Sequence, residues 1–495
     1  MSSESLSQQH ERLGHAVTRL ISEHAAQLDS APVTASATPA DLKQLFDEAL
    51  PIAGTSGEEI LAQFARDVAP HAMQIPSPRY FGQFNPTPLA IGVWADALCS
   101  ALNQNAGAWH NGPTSAMIET QVLRWLCELI GYGPSAFGTL ASGGSEANLI
   151  ALKCARDGAL DRPSVRAPRD ICEHGMRAMD ADLTVYASEQ CHFSVEKSVD
   201  ILGMGRKSLR KIETDERFHI RTDLLREQVE TDRRDGRIPC CIVGIAGATS
   251  TGVIDPLPEL AAIARENHCW FHVDAAYGGG LAFSEKHKEK LLGIEQADSI
   301  TFDPHKWMFV PFACGATLVR DGGDVLRRSF DISPEYLSED RGGADVEYDF
   351  FRYGQMGTRR FNALKLWMGF KFMGKRGYAE TVERHIQLTE YLVSRLDELP
   401  DFERIGEIET AVCCFRYLPE AVRASSPEEQ DRVQQALQQR IEKSGKAFFP
   451  STILHGRRAL RVNINSFLTE RRHVDDLVEL LREEGKALLN RLKSN

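Results

Sequence analysis

The chain of 495 residues carries 57 Lys or Arg against 69 Asp or Glu, a formal net charge of −12. With 42 % apolar and 25 % charged residues it has the composition of a globular protein, long enough that two or three domains are expected. These figures exclude collagen-like, disulfide-scaffold and largely disordered classes, and the acidic surplus argues against nucleic acid as the main partner. No apolar run reaches the roughly 18 residues that a bilayer crossing needs, so no membrane partner is expected. The opening MSSESLSQQHERLGHAV has no basic stretch followed by an apolar one, so secretion is not expected. Eleven cysteines occur without CxxC or Cys/His ligand spacing, which reads as reduced, mostly buried thiols in the cytoplasm and no metal site.

In chain order, residues 1 to about 75 read as polar helices, with Leu42, Leu45, Phe46, Ala49 and Leu50 at helical spacing. The prolines of IPSPRYFGQFNPTP then forbid a regular element. Helical patterns resume from about Ala90 and close at Gly131, a C-cap position. Short, fully apolar runs then alternate with helices: FGTLAS, LTVYAS, CCIVGIAG, CWFHVDA, SITFDPHKW and GATLVRD. Such a pattern argues for a mainly parallel sheet covered on both faces. Beyond about Gly374 a long helix, FERIGE, AVCCFRYLP, a further helix, ALRVNINSF and a charged final helix make an α+β unit. The expected division is an N-terminal helical segment over 1–105, a large domain over 106–375 and a small C-terminal α+β domain over 376–495.

Three segments carry chemistry. In SITFDPHKWMFVPFACGATLV, Lys306 ends an apolar strand-like run, where a lysine is costly to bury unless its amine has work to do. Taken alone, it is equally a surface lysine after a strand; as a functional group it is a Schiff-base lysine ready to attack an aldehyde. In HCWFHVDAAYGGG, Asp274 ends an apolar strand, the usual ligand position in open α/β sheets. A buried carboxylate there keeps a pyridine nitrogen protonated, and Ala276 is small enough for a flat ring to lie against; a helix cap is the bland alternative. In TLASGGSEANLIAL, Ser142-Gly143-Gly144-Ser145 leads a strand into a helix and offers backbone N–H groups to one phosphate. It is neither a Walker A sequence nor GxGxxG. A lysine for an aldehyde, a carboxylate for a pyridinium and a cradle for a phosphate together describe pyridoxal 5′-phosphate.

With these motifs in this order, the sequence resembles the group II pyridoxal-phosphate amino-acid decarboxylases, from about Pro78 to the C-terminal helix. The resemblance implies a fold type I, aspartate-aminotransferase-like large domain with a mainly parallel seven-stranded sheet, the helical N-terminal segment packing on a dimer partner. It implies that Lys306 forms the internal Schiff base, that Asp274 pairs with the ring nitrogen, and that Gly144, Ser145 and His305 hold the phosphate. His192 in ASEQCHFSVEKS matches the histidine that stacks on the ring, opposite Ala276, and Thr249 matches a threonine near the ring oxygen. Tyr336, in an acid- and Gly-rich stretch that reads as a mobile surface loop, matches the proton donor to the α-carbon. Arg461 in ALRVNINSF matches an arginine that takes the substrate α-carboxylate. Relatives often carry glycine where this chain has Thr358, so the contact from a neighbouring subunit's loop stays open.

The implied reaction is decarboxylation of an L-amino acid to its amine and CO2 in a homodimer with active sites at the interface. The side-chain pocket is expected from SPRYFGQF and QNAGAW. Tyr80, Phe81, Phe84 and Trp109 offer flat walls for an aromatic substrate. Gln83 and Asn105 pull towards an acidic substrate (glutamate, aspartate or cysteine sulfinate), and Gly107 is expected to widen the pocket. An aldehyde synthase on the same scaffold is a further alternative, against which Tyr336 and His192 argue.

Overall fold

The structure is a computed structural model, and the residues it describes are 5–159, 171–332 and 348–494. Tyr336 therefore lies outside the described residues. The chain divides into two compact units. The larger comprises Pro88–Thr389 and Gly406–Cys413, the smaller Met1–Thr87, Glu390–Ile405 and Cys414–Asn495. These divisions fall at Thr87/Pro88 and Thr389/Glu390, where the sequence reading puts bounds at 105 and 375. Gly374, beside the second of those, has φ of 61° and interrupts the helix Ala363–Asp397.

The larger unit is built on β1 (Phe137–Ala141), β2 (Leu183–Ser188), β3 (Leu209–Ile212), β4 (Ile238–Ile245), β5 (Trp270–Asp274), β6 (Ser299–Phe302) and β7 (Gly315–Val319). They form one sheet in the order β1-β7-β6-β5-β4-β2-β3. Neighbours from β6 to β3 pair in parallel, whereas β7 is antiparallel to both β6 and β1. Thus β7 alone runs against the other six. Strands β2, β6 and β7 are buried along their whole length, as both-face coverage requires. On one face the helices Gly144–Gly158 and Phe193–Ile201 bury Leu152, Ala155, Val195 and Val199 against Val185, Ala187 and Val243. Alternation along β5 turns Trp270, His272 and Asp274 towards this face.

The outer edge of β1 is closed by side chains. Glu119, on the helix Pro113–Ile130, accepts from the backbone N–H of Leu140 at 3.0 Å, and Arg359 donates to the Leu140 carbonyl at 2.8 Å. Glu119 and Arg359 also pair with each other, and both are almost wholly buried. Edge groups that would recruit another strand are thereby satisfied. Because removing one partner strands the other charge, Arg359→Met should cost about 3–5 kcal/mol of stability. Urea unfolding checks this; a loss below about 1 kcal/mol would show the pair to be dispensable.

The smaller unit carries β8 (Phe402–Ile405), β9 (Val412–Tyr417), β10 (Ser451–Leu454) and β11 (Arg457–Asn463), in the sheet order β10-β11-β9-β8. Its N-terminal helix Leu6–Gln27 opens with a capping box in which Ser5 and Gln8 satisfy each other's backbone N–H. The helix Pro427–Ser444 repeats the device with Ser426 and Glu429. All eleven cysteines are free thiols, and nine are buried.

Candidate active site

The chemistry-bearing residues of the larger unit follow the carboxyl ends of strands that run the same way. Gly143 and Gly144 come after β1, His192 after β2, Thr249 after β4, Asp274 ends β5, and His305 and Lys306 follow β6. In α/β sheets that edge is where backbone and helix N-termini converge on a ligand.

The turn at Gly143-Gly144 starts the 15-residue helix Gly144–Gly158, so its backbone N–H groups are the unpaired donors of a helix N-terminus. There is no room in it for side chains. A Cβ on Gly144 would lie 2.8 Å from Asp303 Oδ2 and 3.4 Å from the Ala276 Cβ, and one on Gly143 would lie 3.1 Å from His305 Cε1. These approaches bring the turn, Ala276, Asp303 and His305 together. Ser145 and Thr249 are exposed.

Lys306 is partly buried, with Nζ 3.1 Å from Asp303 Oδ2. His305 lies beside the same carboxylate at 3.7 Å, and burial lowers its basicity. The next residue, Trp307, is fully buried. It stacks on Tyr277 with centroids 4.6 Å apart and donates its indole N–H to His385 Nδ1 at 3.0 Å. The Trp-Tyr stack locks the Lys306 turn to the Asp274 turn, a link that the adjacent motifs contain but that their spacing does not reveal.

Asp274 accepts from Asn148 Nδ2 at 2.9 Å and from the Ala276 backbone N–H at 3.2 Å. His192 is the N-cap of the helix Phe193–Ile201, its Nδ1 accepting from the Ser194 backbone N–H and lying 2.8 Å from Ser194 Oγ. Burial also lowers the basicity of His192. One strand position before Asp274 on the same face, His272 is fully buried and is pushed down to about 4, chiefly by desolvation. The unfolded chain therefore takes up a proton here as the pH falls from about 6.5, a proton the folded chain refuses until about 4. Stability contributed by neutral His272 is thus present above about pH 6.5 and drains away towards pH 4. Urea unfolding between pH 7 and pH 4 should show a decline that His272→Gln reduces by about 3 kcal/mol. An equal decline in both proteins would contradict this.

Asn105 spends its amide oxygen on two backbone N–H groups, Gly107 at 3.0 Å and Arg359 at 2.9 Å. A Cβ on Gly107 would lie 2.1 Å from the Gly357 carbonyl, so its glycine serves close backbone contact and not, as expected, a wider pocket. Trp109 is half-buried, its backbone N–H donating to Asp349 at 2.9 Å. In the smaller unit Tyr80 and Phe81 are core residues, Tyr80 stacking on Phe448 at 5.3 Å. Arg461 is buried, donates to the Gly82 carbonyl at 2.8 Å and holds its guanidinium 4.8 Å over the Phe84 ring. The Gln83 carbonyl accepts from Asn463 and Asn465, and the Gln83 residue is exposed. Asn148, Ser194, His272 and Asp303 are the polar residues of the cluster that motif reading passes over.

The donor set suits pyridoxal phosphate: a side-chain-free cradle for a dianion, an amine, and a hydrogen-bonded carboxylate at the other end of a small residue, Ala276. Known proteins agree. Residues 39–418 match the model of the pyridoxal-dependent decarboxylase conserved domain. An aromatic-L-amino-acid decarboxylase from Bacillus atrophaeus is 32 % identical over 452 residues, 91 % of this chain and 90 % of that one. A mouse cysteine sulfinic acid decarboxylase is 32 % identical over 416 residues, covering 82 % and 81 %. The crystal structure of Oryza sativa TDC with PLP and tryptamine superposes with a TM-score of 0.90 at 26 % identity, over 98 % of this chain and 100 % of that one. Sheet, cradle and sequence thus lead to one conclusion: the chain belongs to the pyridoxal-dependent decarboxylases, enzymes that use pyridoxal 5′-phosphate to release CO2 from amino acids.

Proposed function

We propose that the chain decarboxylates an aromatic L-amino acid to its amine, with Lys306 and Asp274 at the centre of the reaction. The observation that carries this is the convergence of Lys306, Asp274, Ala276, His305 and the Gly143-Gly144 turn at one sheet edge. When bound, the cofactor supplies an electron sink for the bond to the departing carboxylate. Lys306 Nζ is the amine that would hold the cofactor through its aldehyde. Gly144, Ser145 and His305 would bind the phosphate, and Thr249 would serve the ring oxygen. Asp274 would hold a proton on the ring nitrogen, the condition for the ring to act as an electron sink. His192 and Ala276 would flank the ring, and His192, its basicity lowered by burial, would stack in its neutral form without repelling a cation. Arg461 binds the α-carboxylate, its fork steadied by Gly82 and Phe84. Tyr336 delivers a proton to the α-carbon.

For the substrate, the half-buried Trp109 offers a flat apolar face, and the Bacillus relative, matched over nine-tenths of both chains, acts on aromatic amino acids by its name. One observation favours an acidic substrate as the second reading. With the Asn105 oxygen held by two N–H groups, only donors remain on that amide, and donors suit a side-chain carboxylate. A parallel assay of tyrosine, tryptophan, phenylalanine, glutamate, aspartate and cysteine sulfinate decides between them. The proposal expects amine from an aromatic substrate at no less than tenfold higher kcat/KM, and preference for an acidic one would overturn it. Aldehyde and peroxide in place of amine would mark a synthase and remove Tyr336 from its post.

The working unit we propose is a homodimer. Trp94, Leu98 and Leu102 repeat every four residues on the helix Ala90–Leu102 and are exposed, an apolar stripe that a second copy would cover. Sedimentation at micromolar concentration should give twice the chain mass. Free thiols throughout suit a reducing, cytoplasmic setting.

A further inference from the structure

A single buried amide joins the two sides of the proposed cofactor site. Asn148 lies on the helix Gly144–Gly158, one turn after the Gly143-Gly144 cradle, and is 1 % exposed. Its Nδ2 lies 2.9 Å from both Asp274 Oδ2 and Ser194 Oγ. Its Oδ1 accepts from Thr301 Oγ1 at 2.6 Å and faces His272 Nε2 at 3.0 Å. The carboxylate fixes which way the amide points, because an ionised Asp274 only accepts. His272 thus turns Nε2 to Asn148 and Nδ1 to Ser299, whose carbonyl oxygen lies at 3.1 Å and whose Oγ, at 2.9 Å, accepts from the Trp270 indole N–H at 2.8 Å. On the other side Ser194 receives one Asn148 proton and offers its own to His192 Nδ1, so His192 carries its proton on Nε2.

We propose that Asn148 is a positioning residue for the decarboxylation, holding the Asp274 carboxylate and, through Ser194, the His192 imidazole in one hydrogen-bonded frame. The inference rests on the assignment of Asp274 to the ring nitrogen and extends it. A neutral amide is the right group for this place. A cation beside Asp274 would compete with a pyridinium for the carboxylate, whereas Asn148 donates a hydrogen bond without carrying a charge and leaves the carboxylate's charge for the ring. The same helix carries the phosphate cradle four residues earlier, so the spacing between the two ends of a flat ligand is set by one rigid turn. Burial lowers the basicity of His272, so in its neutral form it adds no positive charge beside the carboxylate.

The test compares Asn148→Asp, Asn148→Ser, Ser194→Ala and Asp274→Asn holoenzymes. Asn148→Asp keeps the shape but turns an oxygen towards Asp274, and Asn148→Ser serves if the first fails to fold. The readouts are the dissociation constant for pyridoxal phosphate, the 15N resonance of cofactor labelled at the ring nitrogen, and kcat against KM. Both Asn148 variants should weaken cofactor binding and lower kcat by about tenfold to a hundredfold, the scale of one hydrogen bond to a charge, with KM little changed. Their 15N signal should move towards the unprotonated range. Ser194→Ala, which breaks the link from Asn148 to His192 but leaves Asn148 Nδ2 on Asp274, should leave that signal in place while lowering kcat. Folded Asn148 variants with wild-type 15N signal and cofactor affinity would overturn the inference, provided Asp274→Asn moves both. An unmoved signal in Asp274→Asn would overturn the assignment of Asp274 itself, and the frame with it.

Discussion

Replacing Lys306 by alanine is expected to lower turnover by about four orders of magnitude or more, the scale on which loss of a covalent catalytic group acts. The amine stands 3.1 Å from the buried Asp303, so alanine also removes a cation from beside that carboxylate and lowers stability. Lys306→Arg separates the two effects. A guanidinium keeps the charge beside Asp303 but does not add to an aldehyde, so this variant should fold as the wild type does and be nearly as inactive as Lys306→Ala. Measuring CO2 release together with thermal unfolding for both variants checks this. An arginine variant within tenfold of wild type would remove Lys306 from the chemistry.

Asp274→Asn should lower kcat by about a hundredfold to a thousandfold, with a smaller effect on KM. An amide keeps the shape and one of the two acceptor oxygens, so it retains the hydrogen bond from Asn148 Nδ2 or the one from the Ala276 N–H but not both. What it lacks is the negative charge that keeps a ring nitrogen protonated, and each tenfold change in that equilibrium is worth about 1.4 kcal/mol. Asp274→Glu keeps the charge but displaces it from the Asn148 amide, and should fall between. If the asparagine variant decarboxylates at more than a tenth of the wild-type rate, the ring nitrogen has another partner.

The parts of this fold that were legible in the sequence are those where one physical demand dominates. Fully apolar runs such as CCIVGIAG have to be buried on both faces, and they are β4 and its neighbours. Asp274 and Lys306 stand out because a charge at the end of such a run needs a reason. The reversal of β7 is not legible, since GATLVRD is as apolar as a parallel strand and direction leaves no trace in composition. Asn148 was missed because an asparagine inside a helical pattern reads as a solvated face. Its place four residues after Gly144, and that of His272 two before Asp274, were the available signals: helical and strand periodicity turn them towards one another. The buried pair of Glu119 and Arg359 was hidden for a similar reason, because charged residues on an amphipathic helix and in a loop are usually wet. For Tyr80 and Phe81, an aromatic wall and an aromatic core have the same composition, and both are core residues of the smaller unit.

The most direct measurement is to reduce the holoenzyme with borohydride, digest it and map the pyridoxyl adduct by mass spectrometry. One adduct per chain on the peptide that contains Lys306, with loss of the visible absorbance, is the predicted result. Tightly bound cofactor that leaves this lysine unlabelled, or that labels another, would contradict the account at its centre.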